Sequence, residues 1–302
     1  MSENNHSQVY KSGFVAVMGR PNVGKSTLIN TLMGQKVAAV SPRPQTTRKR
    51  QMGILTMENA QIVFIDTPGV HEVRHKLGEY MNKEAIDTLQ ESDAVLWVVD
   101  ASQPPHTDES ILAEQISKIG ASADIILALN KIDRADEQNS TQHLDAYKRL
   151  APGAYAIPVS ATRGDNLGEL IEAILAVIDP GPPFFPEDQI TDLYEREIAA
   201  DLIREAALHM LRDEIPHGIA VRIDQFTERN EHGAYIEATI FVEKESHKGI
   251  VIGKSGSMLK KIGTAARKEI EAMSGRNVFL RLRVKVRKNW RDNENVLRRF
   301  GY

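Results

Sequence analysis

The chain contains no cysteine. That excludes disulfide bonds, thiolate chemistry and a cysteine-based zinc site. Long apolar runs are missing too. The longest candidate, Ala94 to Val99, stops at Asp100, far short of the ~20 residues needed to span a bilayer. The opening Met1-Ser2-Glu3-Asn4-Asn5-His6 is polar, without the apolar core of a secretory signal, so a cytoplasmic protein is expected. Length is not lacking: 302 residues are enough for two domains.

The net charge of −3 hides an uneven distribution. Residues 244–302 carry sixteen Lys and Arg against five Asp and Glu, a balance of +11. The preceding residues hold the other twenty-two and thirty-six, a balance of −14. Such asymmetry points to nucleic acid or an acidic membrane surface as partner, contacted by the C-terminal end only.

The run Gly19-Arg20-Pro21-Asn22-Val23-Gly24-Lys25-Ser26 matches G-x-x-x-x-G-K-[ST], a phosphate-cradling loop. Before it, Phe14 to Met18 reads as a buried strand. After it, from Thr27, Leu28, Ile29, Leu32 and Met33 mark a helix face. Backbone N–H groups of such a loop converge at the positive end of a helix dipole. Lys25 can then reach the β- and γ-phosphates, and Ser26 can ligate Mg2+. A second strand, Gln61 to Ile65, runs into Asp66-Thr67-Pro68-Gly69. Asp66 is placed to hold the metal through water, and Gly69 to sense the γ-phosphate by its N–H.

Base choice is read from Asn130-Lys131-Ile132-Asp133, which follows the apolar run Ile125 to Leu129. Guanine offers N1–H and an amine side by side, and the Asp133 carboxylate accepts both. Adenine would leave that carboxylate unpaired. Ser160 and Ala161, after a strand around Ala154 to Val159, are positioned to close over the base. In sequence order these motifs imply GTP and GDP as ligands. An apolar Val70 stands where many GTPases carry a water-orienting glutamine, so intrinsic hydrolysis is expected to be slow. The neighbouring His71 reads either as a general base or as a loop histidine.

Asp179-Pro-Gly-Pro-Pro-Phe-Phe-Pro186 can be neither helix nor central strand and reads as a stiff connector. Beyond it the pattern is a helix over 192–214 and strands over 219–226 and 234–242, joined by a hairpin at Asn230 to Gly233. A helix over 258–273 and a strand over 278–286 complete it. Between them, Gly253-Lys254-Ser255-Gly256 fits the GXXG loop of a KH domain, where a nucleic-acid backbone approaches closely. Gly249, Ile252, Gly253, Lys254, Ser255, Gly256, Lys260 and Lys261 are the candidate RNA contacts. On the last strand Arg281, Arg283, Lys285 and Arg287 alternate with apolar residues; that face is either an RNA contact or simply solvated. The sequence offers few aromatics there for base stacking, so hydrogen bonds to unstacked bases are expected to dominate.

The expected fold is therefore α/β: a P-loop GTPase domain with a mostly parallel sheet flanked by helices, then a smaller α+β KH domain of α-β-β-α-α-β order. Expected boundaries are a flexible 1–11, the GTPase domain at 12–178, a proline-rich linker at 179–188, and the KH domain at 189–302 with a basic C-terminal tail.

The phosphate loop, Thr46-Thr47-Arg48, Asp66 to Gly69, Asn130 to Asp133 and Ser160-Ala161 together resemble translational GTPases of the TrmE–Era–EngA type. The resemblance implies that Thr47, or the adjacent Thr46, closes over Mg2+ and the γ-phosphate. Lys25, Thr47 and Gly69 are then the catalytic candidates, and Ser26, Thr47 and Asp66 the metal ligands. It also implies that Asn22 could hold K+ beside the phosphates. One GTPase domain followed by one KH domain is similar to the KH-ending branch of that family. A second P-loop and the cysteine motif of the tRNA-modifying branch are both absent from this sequence. The branch implies binding to the single-stranded 3′ end of 16S rRNA, a part in assembly of the 30S ribosomal subunit, and peripheral contact with the inner membrane. Nothing in the sequence demands more than a monomer. Two other readings stay open: a membrane-associated signalling GTPase, and a scaffold binding GTP and RNA without coupling.

Overall fold

The computed structural model describes residues 9–41, 46–69, 75–119, 124–135, 140–193, 195–229 and 233–302. Val70, His71 and most of the expected hairpin loop (230–232) lie outside the described residues. The chain divides into two compact units. One comprises 1–37, 50–71 and 83–192; the other comprises 38–49, 72–82 and 193–302.

The first unit contains β1 (Lys11–Met18), α1 (Lys25–Met33), β2 (Gln51–Met57) and β3 (Ala60–Asp66). It continues with most of α2 (Lys76–Gln90), then β4 (Ala94–Asp100), α3 (Thr107–Ile119) and β5 (Asp124–Asn130). α4 (Ser140–Leu150), β6 (Tyr155–Pro158) and α5 (Leu167–Val177) complete it. Its strands form one sheet in the order β2-β3-β1-β4-β5-β6. Only β2 runs antiparallel to its neighbour. Strands buried on both faces read as continuous apolar runs, and β4 is buried throughout. Alternate residues serve opposite faces: Leu96 and Val98 pack with Leu28, Ile29 and Leu170, whereas Val95, Trp97 and Val99 pack with Leu89, Leu112 and Tyr147. The sheet thus gathers the C-terminal ends of β1, β3, β4 and β5 along one edge, where ligands bind in open α/β sheets.

The proline-rich connector is not a free spacer. The Ser12 N–H donates to the Asp179 carbonyl (3.2 Å) and the Gly181 N–H to Tyr10 (3.0 Å). The Gln61 amide oxygen accepts from the Phe184 and Phe185 N–H groups at 2.8 and 3.0 Å. Further along, the Ile54 N–H donates to Ile190 (2.9 Å) and the Met52 N–H to the Asp192 carboxylate (3.0 Å). The connector therefore runs along the first unit as far as Asp192. Prolines cannot donate, so side chains such as Gln61 supply the bonds that a strand would have made.

In the second unit, α6 (Glu195–Met210), β7 (Ala220–Glu228), β8 (Gly233–Val242), α7 (Glu245–Ile252), α8 (Ser257–Ser274) and β9 (Asn277–Val286) follow the expected α-β-β-α-α-β order. The sheet order is β7-β8-β9, antiparallel then parallel. Ile236, Ala238 and Ile240 of β8 bury against Leu202 and Ile203 of α6 and Ile262 and Ala266 of α8. The period of two sends Tyr235, Glu237 and Thr239 to the opposite face, level with Phe279, Arg281 and Arg283 of β9.

Residues 287–302 correct an expectation: they are not a basic tail. A short helical turn at Trp290–Asp292 leads into α9 (Glu294–Arg299). Trp290 is fully buried, and its indole N–H donates to the Gly218 carbonyl at 2.9 Å. Trp290, Val296 and Leu297 cluster with Ala220, Phe241 and with Leu77 and Met81 of α2's first turns. The arginines of this stretch dominate its charge, but its apolar residues decide its packing. The unit also takes in 38–49: Arg48 donates to the carbonyls of Ile219 (2.6 Å) and His217 (3.2 Å), and its guanidinium lies 5.5 Å from the Trp290 ring centroid.

Candidate functional site

Gly19 to Lys25 link β1 to α1. Gly24 has φ 105°, and a Cβ there would stand 2.3 Å from Asn130 Nδ2, so only glycine fits between the loop and β5. Lys25 is buried, and its Nζ donates to the carbonyls of Gly19 (2.9 Å) and Arg20 (3.1 Å). Burial lowers its pKa to about 8, with Asp66 opposing that shift and Arg20 adding to it. Burial makes this ammonium costly to hold, a cost that an anionic phosphate would offset.

Ser26 Oγ donates to Asp66 Oδ2 at 2.7 Å, which joins the start of α1 to the end of β3. A hydroxyl and a carboxylate in contact are hard oxygen donors of the kind Mg2+ takes. Gly69 lies against the loop, since a Cβ on it would come 2.7 Å from Pro21 N. Thr67 Oγ1 donates to the Val17 carbonyl (2.8 Å), fixing the Asp66–Gly69 turn on β1.

The guanine-reading candidates form one hydrogen-bonded brace. Asn130 Nδ2 donates to the Val23 carbonyl (2.8 Å), and its Oδ1 accepts from the Ala161 N–H (3.0 Å). Val23 itself is a core residue, so its backbone faces the site while its side chain anchors the loop. Ser160 Oγ donates to Asp133 Oδ1 at 2.6 Å. That bond leads the causes that hold the Asp133 carboxyl below its ordinary range, keeping it an acceptor. α1 is tied to the same corner: Thr31 Oγ1 lies 2.9 Å from the Thr27 carbonyl and 2.7 Å from that of Ala161.

Lys131 has φ 66° and donates to the Asn22 carbonyl (2.7 Å) and to Asp100 Oδ2 (2.6 Å). Asp100 is a site residue that the motifs did not name. Its signal was available, because it is the carboxylate ending the most apolar strand of the sequence. Arg20 is held similarly, its Nε 3.3 Å from Oε1 of the fully buried Glu109.

Thr46 and Thr47 belong to the second unit, where Thr47 is buried and the Thr46 carbonyl accepts from Arg204. The first unit brings Ser26 and Asp66 together.

In the second unit, the Gly253 N–H caps α7 on the Gly249 carbonyl (2.9 Å). Gly253 (φ 73°) has no room for a Cβ, which would stand 2.7 Å from Met258 Cβ; Gly256 (φ 80°) opens onto free space. Ile252 is half-buried, while Lys254, Ser255, Lys260 and Lys261 are exposed. A groove of about 420 Å3 runs from Gly256 between α8 and β9, lined by Leu259, Lys260, Gly263, Arg267, Leu280 and Arg281 among others. Lys261, about 100° further round the helix, does not line it. Arg267 and Arg281, legible in the sequence only as charge, do. No helix among the described residues is long and apolar enough to cross a membrane.

Family comparison agrees with both halves. Residues 14–131 match the 50S ribosome-binding GTPase model, and residues 214–291 match the KH domain model. The chain is 46% identical to GTPase Era of Geobacter metallireducens over 97% of this chain and 98% of that protein. It is 47% identical to GTPase Era of Clostridium botulinum (strain Loch Maree) over 97% and 99%. Among solved structures, Era in complex with MgGDPNP and nucleotides 1506–1542 of 16S ribosomal RNA superposes with a TM-score of 0.91 at 39% identity, covering 97% of this chain and 99% of that one. A single-site variant of Aquifex aeolicus Era bound to GDP·AlF4− gives the same TM-score at 40% identity, with the same coverage. Identity of this extent along nearly the whole chain, carried by a GTPase unit and a KH unit with their motifs in place, has one meaning: the chain belongs to the Era family of GTPases.

Proposed function

We propose that this chain is a Mg2+-dependent, GTP-hydrolysing switch whose KH unit binds the single-stranded 3′ end of 16S rRNA during 30S subunit assembly. The likeness over nearly the full length to Era bound to MgGDPNP and 16S rRNA carries this reading. In it, residues 12–178 are the GTPase domain, 179–188 the linker and 189–302 the KH domain. Lys25 and the loop N–H groups hold the phosphates. Ser26 and Asp66 hold Mg2+, which neutralises charge building on the transferred phosphoryl group. Asp133, kept ionised by Ser160, reads guanine, and Asn130 braces the phosphate loop against Ala161.

Thr47 completes the metal site in the GTP state. Its neighbour Arg48 is sunk in the KH unit, and so are the first turns of α2, which follow Gly69 by a few residues. The segments expected to respond to the γ-phosphate are thus continuous with the unit expected to hold RNA. This continuity supports coupling over an independent GTP- and RNA-binding scaffold. Asn22, exposed in the phosphate loop, offers an amide oxygen suited to K+; equal single-turnover rates in K+ and Na+ would remove that assignment. In this reading the protein works in the cytoplasm, with the basic KH face available to the inner membrane. The reading is tested by GTP hydrolysis and RNA binding of the wild type and of Lys25→Ala. The variant is expected to lose nucleotide binding and, with it, any nucleotide dependence of RNA affinity. An unaltered nucleotide affinity would refute the phosphate-site assignment.

A further inference from the structure

The outer face of the KH sheet carries an aromatic pair that the GXXG motif does not predict. Phe279 of β9 and Tyr235 of β8 sit opposite each other in the parallel ladder. Their rings stack with centroids 5.4 Å apart and planes within 7°. The Arg229 guanidinium lies 4.8 Å from the Tyr235 centroid. Phe279 is nevertheless 62% exposed. Among the described residues β9 is the edge strand, so no further strand there covers the other side of its ring.

An exposed aromatic stack would be hard to explain as packing, since it buries little. Its surroundings indicate a ligand. A hollow of about 460 Å3 is lined by Arg229, Tyr235, Phe279, Leu280 and Arg281. The last three also line the groove that begins at Gly256, so the two depressions adjoin. Neither is lined by any acidic residue among the described residues. Glu237 lies nearby, but it is shared by Arg281 (3.1 Å) and Arg283 (2.9 Å), which leaves net positive charge. Flat aromatic surface flanked by arginines is the chemistry that single-stranded nucleic acid uses for its bases and phosphates.

We propose that Phe279, stacked on Tyr235, is a base-stacking platform that receives an unpaired RNA nucleotide adjoining those held in the GXXG groove. The proposal rests on the reading that this unit binds RNA. It would add one stacking contact to the hydrogen bonds expected to dominate recognition.

The test uses the full chain and a ladder of single-stranded RNAs from the 16S 3′ end, lengthened stepwise at either end, with affinities measured at one salt concentration. One direction of extension is expected to tighten wild-type binding by about 5-fold or more. Phe279→Leu should abolish that gain, whereas Phe279→Trp should keep it. A 2-aminopurine at the added position should be quenched by wild type and not by Phe279→Leu. Absence of any gain on extension, or a gain that survives Phe279→Leu, would overturn the platform. RNA binding indifferent to Gly256→Asp would instead overturn the groove reading, so the two failures are read from different variants.

Discussion

Lys25 makes the nucleotide site a proton acceptor. Its ammonium is buried and bonded to two carbonyls, and burial lowers its pKa to about 8 from an ordinary 10.5. A bound β-phosphate places negative charge beside it and raises the pKa toward or above the ordinary value. At pH 8.5 the free protein is then mostly deprotonated at Lys25 and the complex fully protonated, so binding GDP takes up between about half and one proton. At pH 6.5 both states are protonated, and uptake from this residue falls to about zero. The sign follows directly: the group's pKa is lower in the free state, so nucleotide affinity falls as pH rises above about 8. The fall approaches tenfold per pH unit until the pKa of the complex is reached. Isothermal calorimetry at pH 8.5 in two buffers of different ionisation enthalpy reads the uptake as the slope of observed enthalpy. Lys25→Met, titrated at higher nucleotide concentration, should abolish the slope. A wild-type slope of zero at pH 8.5, or one that Lys25→Met leaves intact, would refute the argument.

Asp133→Asn replaces an acceptor-only group with one that also donates, so preference should move from guanine toward xanthine nucleotides by at least about tenfold. Competition between labelled GDP and xanthosine diphosphate measures it, and retained guanine selectivity would show that another group reads the base. Trp290→Ala removes the largest side chain of the C-terminal cluster and should destabilise the KH unit by about 3–5 kcal/mol. Calorimetric unfolding would reveal it, and a Tm indistinguishable from wild type would mean that residues 287–302 behave as a tail after all. Gln61→Leu should free the connector from the first unit, seen as faster amide exchange at Phe184 and Phe185; unchanged exchange would show that the remaining bonds suffice.

Much of this was legible in the sequence because its motifs are short, local and tied to strand ends. β1, β3, β4 and β5 are largely apolar; β3, β4 and β5 end in Asp66, Asp100 and Asn130, and β1 leads into Gly19 of the phosphate loop. The missing parts were those whose pattern is ambiguous or non-local. β2 (Gln51–Met57) mixes polar and apolar residues and becomes a strand by pairing antiparallel with β3. α2 and α4 carry apolar residues amid charge, which reads equally as loop. The packing of residues 287–302 depends on Ala220, Phe241 and Leu77, far away in sequence, while local charge argued for a tail. Asp100 was visible as a strand end, but its partner Lys131 is identified only by the register of β4 on β5. The Tyr235–Phe279 stack likewise requires the β8–β9 register. That Thr47 and Arg48 group with the KH unit could not be read locally at all.

The central claim is that nucleotide state sets RNA affinity through the KH groove. The direct measurement is the dissociation constant of the 16S rRNA 3′ segment, with GDP and with a non-hydrolysable GTP analogue, at one stated salt concentration. It would be made for wild type and for Gly256→Asp. Gly256 is the better position to change, since a Cβ there meets nothing within 4 Å, whereas at Gly253 it collides with Met258, and aspartate tolerates positive φ better than most residues. Tighter binding with the GTP analogue, lost in the variant, is the predicted result. Equal affinity in the two nucleotide states, or binding that Gly256→Asp leaves unchanged, would contradict it.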